Sequence, residues 1–195
     1  MAVTSAVFVD KDGTLVDDVP YNVDPARIRL RSGAEHALGR LRRLGLPIVV
    51  VSNQSGLAHG YFSETELARA DGRLRELVAK TGVALLGTHY CPHHPRGAVA
   101  RWAIECGCRK PAAGLLEAAA REHGISLASS WMIGDILDDV EAGRRAGVTT
   151  ILLEGGETEW RSGPNREPHH RAATWRDAVD VIARRPRPEV DSDAA

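Results

Sequence analysis

The sequence of 195 residues lacks several features that mark particular classes of protein. No apolar run approaches the ~20 residues that a transmembrane helix requires. The formal net charge is −1, from 25 Lys and Arg against 26 Asp and Glu. This balance does not favour binding to nucleic acid or to an acidic membrane. Residues 1–5 contain no basic segment and lead directly into an apolar stretch, so we expect no signal peptide and a cytoplasmic protein.

Cysteines are also few. The three thiols, Cys91, Cys106 and Cys108, are odd in number and lie close together in the chain. That is poor material for a disulfide framework and better material for a metal site. With 43% hydrophobic and 26% charged residues, the composition is that of a globular protein. We predict one domain over residues 1–185 and a disordered tail over 186–195.

Five short apolar stretches alternate with segments of helical spacing, which predicts an α/β protein. The predicted strands are 7–9, 47–51, 83–90, 131–133 and 148–153, and the predicted helices are 32–44, 63–80, 111–123, 138–146 and 175–183. Strands that are apolar on both faces are typical of a parallel sheet with helices on both sides.

Two carboxylates, Asp10 and Asp12, follow the first predicted strand. Side chains two residues apart on an extended backbone point the same way, so both face one place at the carboxyl end of the strand. Ligands of parallel α/β sheets bind at that edge. A divalent cation site with a nucleophile is one interpretation, and an acidic turn containing Gly13 is the other.

Polar pairs also end two further strands, Ser52-Asn53 and Gly134-Asp135, and the basic pair Arg109-Lys110 precedes a helix. Taken alone, each pair has an ordinary explanation. Ser52-Asn53 can simply end a strand, Gly134-Asp135 can be a helix N-cap, and Arg109-Lys110 can be a solvated pair of charges. Together with Asp10 and Asp12 they supply what a phosphate-ester hydrolase needs: a nucleophile, a proton donor for the leaving group, ligands for a cation and hydrogen-bond donors for the phosphoryl group.

In that hypothesis Asp10 attacks phosphorus and Asp12 is the general acid and base. Ser52 and the Asn53 amide bind phosphoryl oxygens, and Asp135 completes an oxygen shell for Mg²⁺. Lys110 supplies a mobile positive charge that binds phosphate. The planar guanidinium group of Arg109 can form paired hydrogen bonds with a second anionic group.

These residues, in this order, resemble the four motifs of the haloacid dehalogenase (HAD) superfamily, over residues 5 to about 155: Asp10-Lys-Asp-Gly-Thr, Ser52-Asn, Lys110 and Gly134-Asp135-Ile-Leu-Asp138-Asp139. The resemblance implies a Rossmann-like sheet of order 5-4-1-2-3 and an aspartyl-phosphate mechanism. It also implies Mg²⁺ held by Asp10, Asp135 and the Asp12 carbonyl, with Asp139 supporting Lys110 or the metal shell. The intervals between motifs leave no room for a cap domain, so we predict an open site.

The three thiols and a neighbouring imidazole lie in one segment, residues 91–108. Three Cys and one His form a closed tetrahedral Zn²⁺ site of structural type, whereas free buried thiols are the alternative. The segment ends on Arg109 and Lys110, so zinc there would fix the backbone that aims both cations.

The same segment resembles the zinc loop of one HAD branch, which contains heptose 1,7-bisphosphate 7-phosphatases and histidinol-phosphate phosphatases. The resemblance makes His93 the imidazole ligand beside Cys91, Cys106 and Cys108, and His94 a bystander. The heptose enzymes are the better match, which implies substrate contacts from a set of loop residues: Asp18, Tyr21, Asn53, Gln54, Ser55, His59 and Arg109.

Three positions depart from the heptose pattern: Lys11, His59 and Ile136. The hypothesis is therefore a monomeric phosphatase for a small phosphorylated sugar, the C7 phosphate of a heptose 1,7-bisphosphate. The alternatives are a histidinol-phosphate phosphatase, a nucleic-acid 3′-phosphatase, which the charge disfavours, and an inactive zinc-organised binding module.

Overall fold

A parallel sheet of six strands forms the centre of the protein. The computed structural model describes residues 4–155 and 162–184. The strands are β1 (Val7–Val9), β2 (Ile48–Asn53), β3 (Leu85–Cys91), β4 (Trp131–Gly134), β5 (Thr149–Leu153) and β6 (His170–Ala172). Their order is β3-β2-β1-β4-β5-β6, and each pair is parallel. The predicted fold class is confirmed, and β6 extends the predicted order 5-4-1-2-3 by one strand at the β5 edge.

Helices cover both faces of this sheet. They are α1 (Ala34–Arg43), α2 (Gly56–His59), α3 (Glu64–Lys80), α4 (Gly114–His123), α5 (Leu137–Ala146) and α6 (Trp175–Arg184), and 3₁₀ turns lie at Pro25–Arg27 and Leu127–Ser129. On one face, α1, α3 and α6 pack against one set of strand side chains. On the other face, α4 and α5 pack against the alternate set. Alternation along each strand therefore supplies two apolar cores from one sheet.

Two elements were not predicted from the sequence, α2 and β6. Both are short, with four and three residues, so neither repeats its periodicity often enough to be recognised. Strand β2 also runs further than predicted and includes Ser52 and Asn53. Helix α4 begins at Gly114 rather than at residue 111.

Helix α3 begins at the capping box that the sequence predicts. The Ser63 hydroxyl accepts from the Glu66 amide at 3.2 Å, and the Glu66 carboxylate accepts from the Ser63 amide at 2.8 Å. This capping box satisfies amide groups that have no partner within the helix.

The segments between the strands are short enough to leave the carboxyl edge of the sheet uncovered by a further domain. Residues 10–110, all of which the structure describes, contain only turns and α1–α3 besides β2 and β3. Within the described ranges there is no helix both long enough and apolar enough to cross a membrane. The predicted tail, residues 186–195, lies outside the described residues, and the single-domain boundaries stay a prediction.

Candidate active site

The ladder of the central strands places the predicted carboxylates at one edge. Val9 of β1 lies opposite Val50 of β2 and Ile133 of β4, and the Asp10 amide donates to the Ile133 carbonyl at 3.0 Å. Asp10 is therefore the first residue beyond β1, level with the last residue of β4 and two residues before the end of β2. Asp135 follows the end of β4 directly. Residues far apart in the sequence meet here because parallel strands end at the same edge.

Lys110 connects the acidic groups of this edge. Its Nζ donates to Oδ1 of Asp10 and to Oδ1 of Asp139, both at 2.5 Å, and to the Val51 carbonyl at 3.0 Å. The Lys110 side chain is only 2% exposed. Burial by itself lowers the pKa of Lys110, but the two carboxylates outweigh it and raise that pKa above its usual value. Lys110 is thus a fixed positive charge between two carboxylates.

Negative charge is nevertheless in excess at this point. Carboxylate oxygens of Asp10, Asp135 and Asp139 lie within 4.8 Å of one another. Burial raises the pKa of Asp10 to about 7, with Lys110 opposing the shift and Asp139 adding to it. Burial and the charge of Asp10 raise the pKa of Asp135 to about 6. Burial also raises the pKa of Asp139, against the effect of Lys110. A divalent cation beside Asp10 and Asp135 would offset this repulsion, so the residues fit Mg²⁺.

The backbone at Gly13 and Thr14 passes close to the Asp135 carboxylate. The Thr14 hydroxyl donates to Oδ1 of Asp135 at 2.7 Å. Gly13 has φ of +81°, and a Cβ atom there would collide with the Asp135 carboxylate. The Thr14 carbonyl in turn accepts from the buried indole of Trp175 at 3.0 Å. Helix α6 therefore supports the turn that positions Asp135, which no sequence pattern indicated.

Asp12 has different surroundings from Asp10. Its Oδ2 accepts from Nε2 of Gln54 at 2.8 Å, its Oδ1 lies 2.9 Å from Nζ of Lys11, and its side chain is 31% exposed. Nε2 of Gln54 also lies 3.0 Å from the Ser52 hydroxyl. Gln54, predicted to contact substrate, is thus part of the network that holds Asp12 and Ser52.

Asn53 and Arg109 are likewise used to hold the loop before α4. The Asn53 amide donates to the Lys110 carbonyl and accepts from the Lys110 amide, both at 3.0 Å. Arg109 donates to the His93 carbonyl at 3.3 Å. The two Asn53 bonds fix the backbone from which the long Lys110 side chain reaches Asp10. Their predicted contacts with substrate stay predictions.

The predicted zinc ligands lie together at the end of β3. Sγ of Cys108 lies 3.2 Å from Sγ of Cys91 and 3.3 Å from Sγ of Cys106, and Cys91 and Cys106 are 3.6 Å apart. Nδ1 of His93 lies 3.3 Å from Sγ of Cys108 and 3.7 Å from Sγ of Cys91. Four ligands about 2.0–2.3 Å from one zinc ion would lie about 3.5–3.8 Å apart. The donor set and its spacing therefore fit a tetrahedral Zn²⁺ site.

Aromatic and imidazole rings form a cluster on the loops beyond the strand ends. The Tyr21 and Tyr61 ring centres are 4.7 Å apart, His59 stacks on Tyr61 at 5.2 Å, and His59 lies 4.7 Å from His94. Tyr21 and Tyr61 are 52% and 62% exposed. The sequence singled out Tyr21 and His59 but missed Tyr61 and His94, because the rings meet only through the folding of three loops.

The remaining predicted residues have lesser roles in the geometry. Asp18 is exposed on the loop after β1. Ser55 is buried before α2, and its carbonyl accepts from the His59 amide at 3.0 Å. The Ile136 amide donates to Oδ2 of Asp139 at 3.4 Å, so this position contributes backbone to the site whatever its side chain.

Comparison with known proteins agrees with this geometry. A family model described as HAD-hydrolase-like matches residues 107–178, which include Lys110, Asp135 and Asp139. The chain is 37% identical over 148 residues to the D-glycero-beta-D-manno-heptose-1,7-bisphosphate 7-phosphatase of Yersinia pestis, covering 76% of this chain and 79% of that one. The chain belongs to the HAD-like hydrolases. Within that family it is a phosphatase, a phosphoric monoester hydrolase.

Solved structures of HAD-like proteins have the same fold. A HAD-like protein of Mesorhizobium loti is 35% identical with a TM-score of 0.81, covering 93% of this chain and 85% of that one. The D,D-heptose 1,7-bisphosphate phosphatase of B. bronchiseptica, solved with magnesium and phosphate, is 26% identical with a TM-score of 0.79. That match covers 92% of this chain and 98% of that one.

Proposed function

We propose that this phosphatase removes the C7 phosphate of D-glycero-D-manno-heptose 1,7-bisphosphate through an aspartyl-phosphate intermediate. The observation that carries the proposal is the Asp10–Lys110–Asp139 network beside Asp12 and Asp135. It occurs in a chain similar over most of its length to a phosphatase with that substrate. The predicted monomeric state and cytosolic location stay predictions.

Asp10 is the proposed nucleophile. An oxygen of its carboxylate attacks phosphorus, and the bond from phosphorus to the C7 oxygen breaks with its electron pair on that oxygen. Lys110 and a divalent cation favour the ionised form of Asp10, against the burial that raises its pKa to about 7. The hydroxyl of Ser52, near the carboxyl end of β2, is the proposed donor to a phosphoryl oxygen.

Asp12 is the proposed general acid and base. It protonates the departing C7 oxygen, and its carboxylate then takes a proton from the water that attacks the aspartyl-phosphate. That attack breaks the bond between phosphorus and Asp10, which releases phosphate and restores both carboxyl groups. The hydrogen bond that Gln54 donates to Asp12 restricts the orientation of this carboxyl group.

Asp10, Asp135 and the Asp12 carbonyl are the proposed Mg²⁺ ligands, and Asp139 stays bonded to Lys110. When bound, Mg²⁺ neutralises charge that develops on the phosphoryl oxygens. Cys91, His93, Cys106 and Cys108 would hold Zn²⁺ in the cysteine loop, where the ion would have a structural role. It would fix the loop whose next two residues are Arg109 and Lys110.

The cluster of Tyr21, His59, Tyr61 and His94 is the proposed wall of the sugar site. Its rings come from α2 and from the loops that follow β1, β2 and β3, at the carboxyl edge of the sheet where Asp10 and Asp135 also lie. Flat rings pack well against the apolar faces of a sugar, and Arg109 can pair with the second phosphate as a planar fork.

The test is phosphate release by the purified protein with Mg²⁺ on a matched panel of substrates. The panel contains both anomers of the heptose bisphosphate, histidinol phosphate and a 3′-phosphorylated oligonucleotide. We expect kcat/KM to be at least about 100-fold higher for a heptose anomer, or about 2.7 kcal/mol in transition-state binding. Equal and weak rates on the whole panel would contradict the heptose assignment.

A further inference from the structure

A second group of side chains of the metal-ligand type shares no residue with either site described above. His89 is in β3, and Glu122 and His123 end α4. One ligand atom from each of these three residues lies within 4.8 Å of the others. No step of the proposed phosphatase reaction uses any of the three.

The spacing of the two imidazoles matches that of two ligands on one ion. Nε2 of His89 and Nε2 of His123 are 3.3 Å apart. Two nitrogens bound at 2.0–2.1 Å to a tetrahedral ion would be separated by about 3.3 Å. Oε1 of Glu122 lies 3.6 Å from Nε2 of His123, near enough to occupy a third corner. A fourth corner is open to water because the Glu122 side chain is 64% exposed.

The backbone makes room for this arrangement. Gly87, His89 and Cys91 point to the same face of β3 because they are two residues apart. A Cβ atom at Gly87 would lie 2.6 Å from Nε2 of His123 and 3.0 Å from Nε2 of His89. Any larger residue at position 87 would therefore push both ring nitrogens out of place. The glycine leaves the ligand atoms free to converge.

We propose that His89, His123 and Glu122 form a second, structural site for Zn²⁺ or a similar late divalent transition-metal ion. Two imidazoles and one carboxylate are ligands that such ions prefer. The site joins the edge strand β3 to the carboxyl end of α4. At its other end α4 is tied to the cysteine loop, where the Gly114 amide donates to the Gly107 carbonyl at 3.0 Å. Ions at both places would hold α4 against β3 from its two ends.

The direct test is a Zn²⁺ titration of the purified protein with its cysteine loop already filled and Mg²⁺ in excess. We expect calorimetry to find one further equivalent of Zn²⁺ and a rise in Tm on its binding. Co²⁺ used in the same way should give d–d absorption bands without a thiolate charge-transfer band. No binding beyond the cysteine loop would overturn the proposal and leave a plain hydrogen bond between the two rings.

Matched variants locate the ion. His89→Gln and His123→Gln should each lower the affinity for the added Zn²⁺ by at least about tenfold. Loss of an outer-shell partner already costs about that much, and loss of a direct ligand costs more. Glu122→Gln, at a position whose side chain is 64% exposed, should lower the affinity for Zn²⁺ less but measurably. His36→Gln, an exposed histidine in α1 on the opposite face, should leave it unchanged. Equal Zn²⁺ binding by all four variants would place the ion elsewhere and overturn the proposal.

Discussion

The carboxylate site (Asp10, Asp12, Asp135 and Asp139) and the cysteine loop (residues 91–108) both gather metal-binding side chains, but they differ in how the charges are held. At the carboxylate site Lys110 pairs with two of the acids, and strands from distant parts of the sequence position them. The cysteine loop gathers its four ligands from one short segment. The carboxylate site is held by the sheet and by a buried lysine that neutralises part of its charge. The cysteine loop has no such cation among its four side chains, so its thiolates would depend on the proposed Zn²⁺ for their charge balance.

The largest expected effect is on catalysis at the carboxylate site. Asp10→Asn should lower kcat/KM by at least about 10⁴-fold, or about 5.5 kcal/mol, because an amide cannot form the aspartyl-phosphate. Phosphate release measures the activity, and circular dichroism checks that the variant is folded. Asp17→Asn, at an exposed position close in the chain, is the matched control and should keep its activity. Activity that survives in the Asp10 variant would contradict the mechanism.

Lys110→Met should come next, as a loss of stability. It leaves Asp10 and Asp139 buried without their cation, which costs about 3–5 kcal/mol of unfolding free energy. Urea unfolding in Mg²⁺-free buffer measures this loss, and added Mg²⁺ should restore part of it. If the variant were as stable as the unchanged protein, Lys110 would not be what assembles the site.

A matched pair of histidines sharpens the cysteine-loop side of the comparison. His93→Gln should release zinc and lower the free energy of unfolding by about 3 kcal/mol, the linkage expected for an ion present at about 100 times its Kd. His94→Gln should keep its zinc. Metal analysis measures the zinc content, and urea unfolding measures the loss of stability. Equal zinc content in both variants would contradict the assignment of His93.

The smallest effect is a pH dependence confined to the carboxylate site. Folding raises the pKa of Asp10 to about 7 and that of Asp135 to about 6, from the ordinary 3.8. Between about pH 4 and 7 the metal-free folded state binds more protons than the unfolded chain, so these groups lower stability as pH rises. Mg²⁺ binds the ionised form. Its stabilisation should therefore be at least about 1.4 kcal/mol larger near pH 8 than near pH 5.

Thermal unfolding with and without added Mg²⁺, at both pH values and without a chelator that would also remove Zn²⁺, measures this difference. Asp10→Asn should reduce it, since the group with the more strongly raised pKa is removed. A Mg²⁺ effect that is equal at both pH values would show that the carboxylates are already ionised without the ion.

Local patterns were sufficient for much of the fold. Apolar strands, the Ser63 capping box and the alternation of strands with helices predicted the parallel sheet and most of its elements. They missed α2 and β6, which are too short to repeat a period, and they ended β2 before Ser52. Single-sequence patterns carry no information on where a strand stops pairing with its neighbours.

The sequence by itself determined which chemistry is available: carboxylates after β1 and β4, a lysine before α4, and thiols clustered within one segment. Only the tertiary structure decided how these groups are used. It assigned Asn53 to the backbone of Lys110 and Gln54 to Asp12, and it brought Trp175 beneath Thr14 and His123 beside His89. The physical reason is that such contacts join residues distant in the chain, and the hydrogen bonds and repulsions that select them exist only after the sheet has formed.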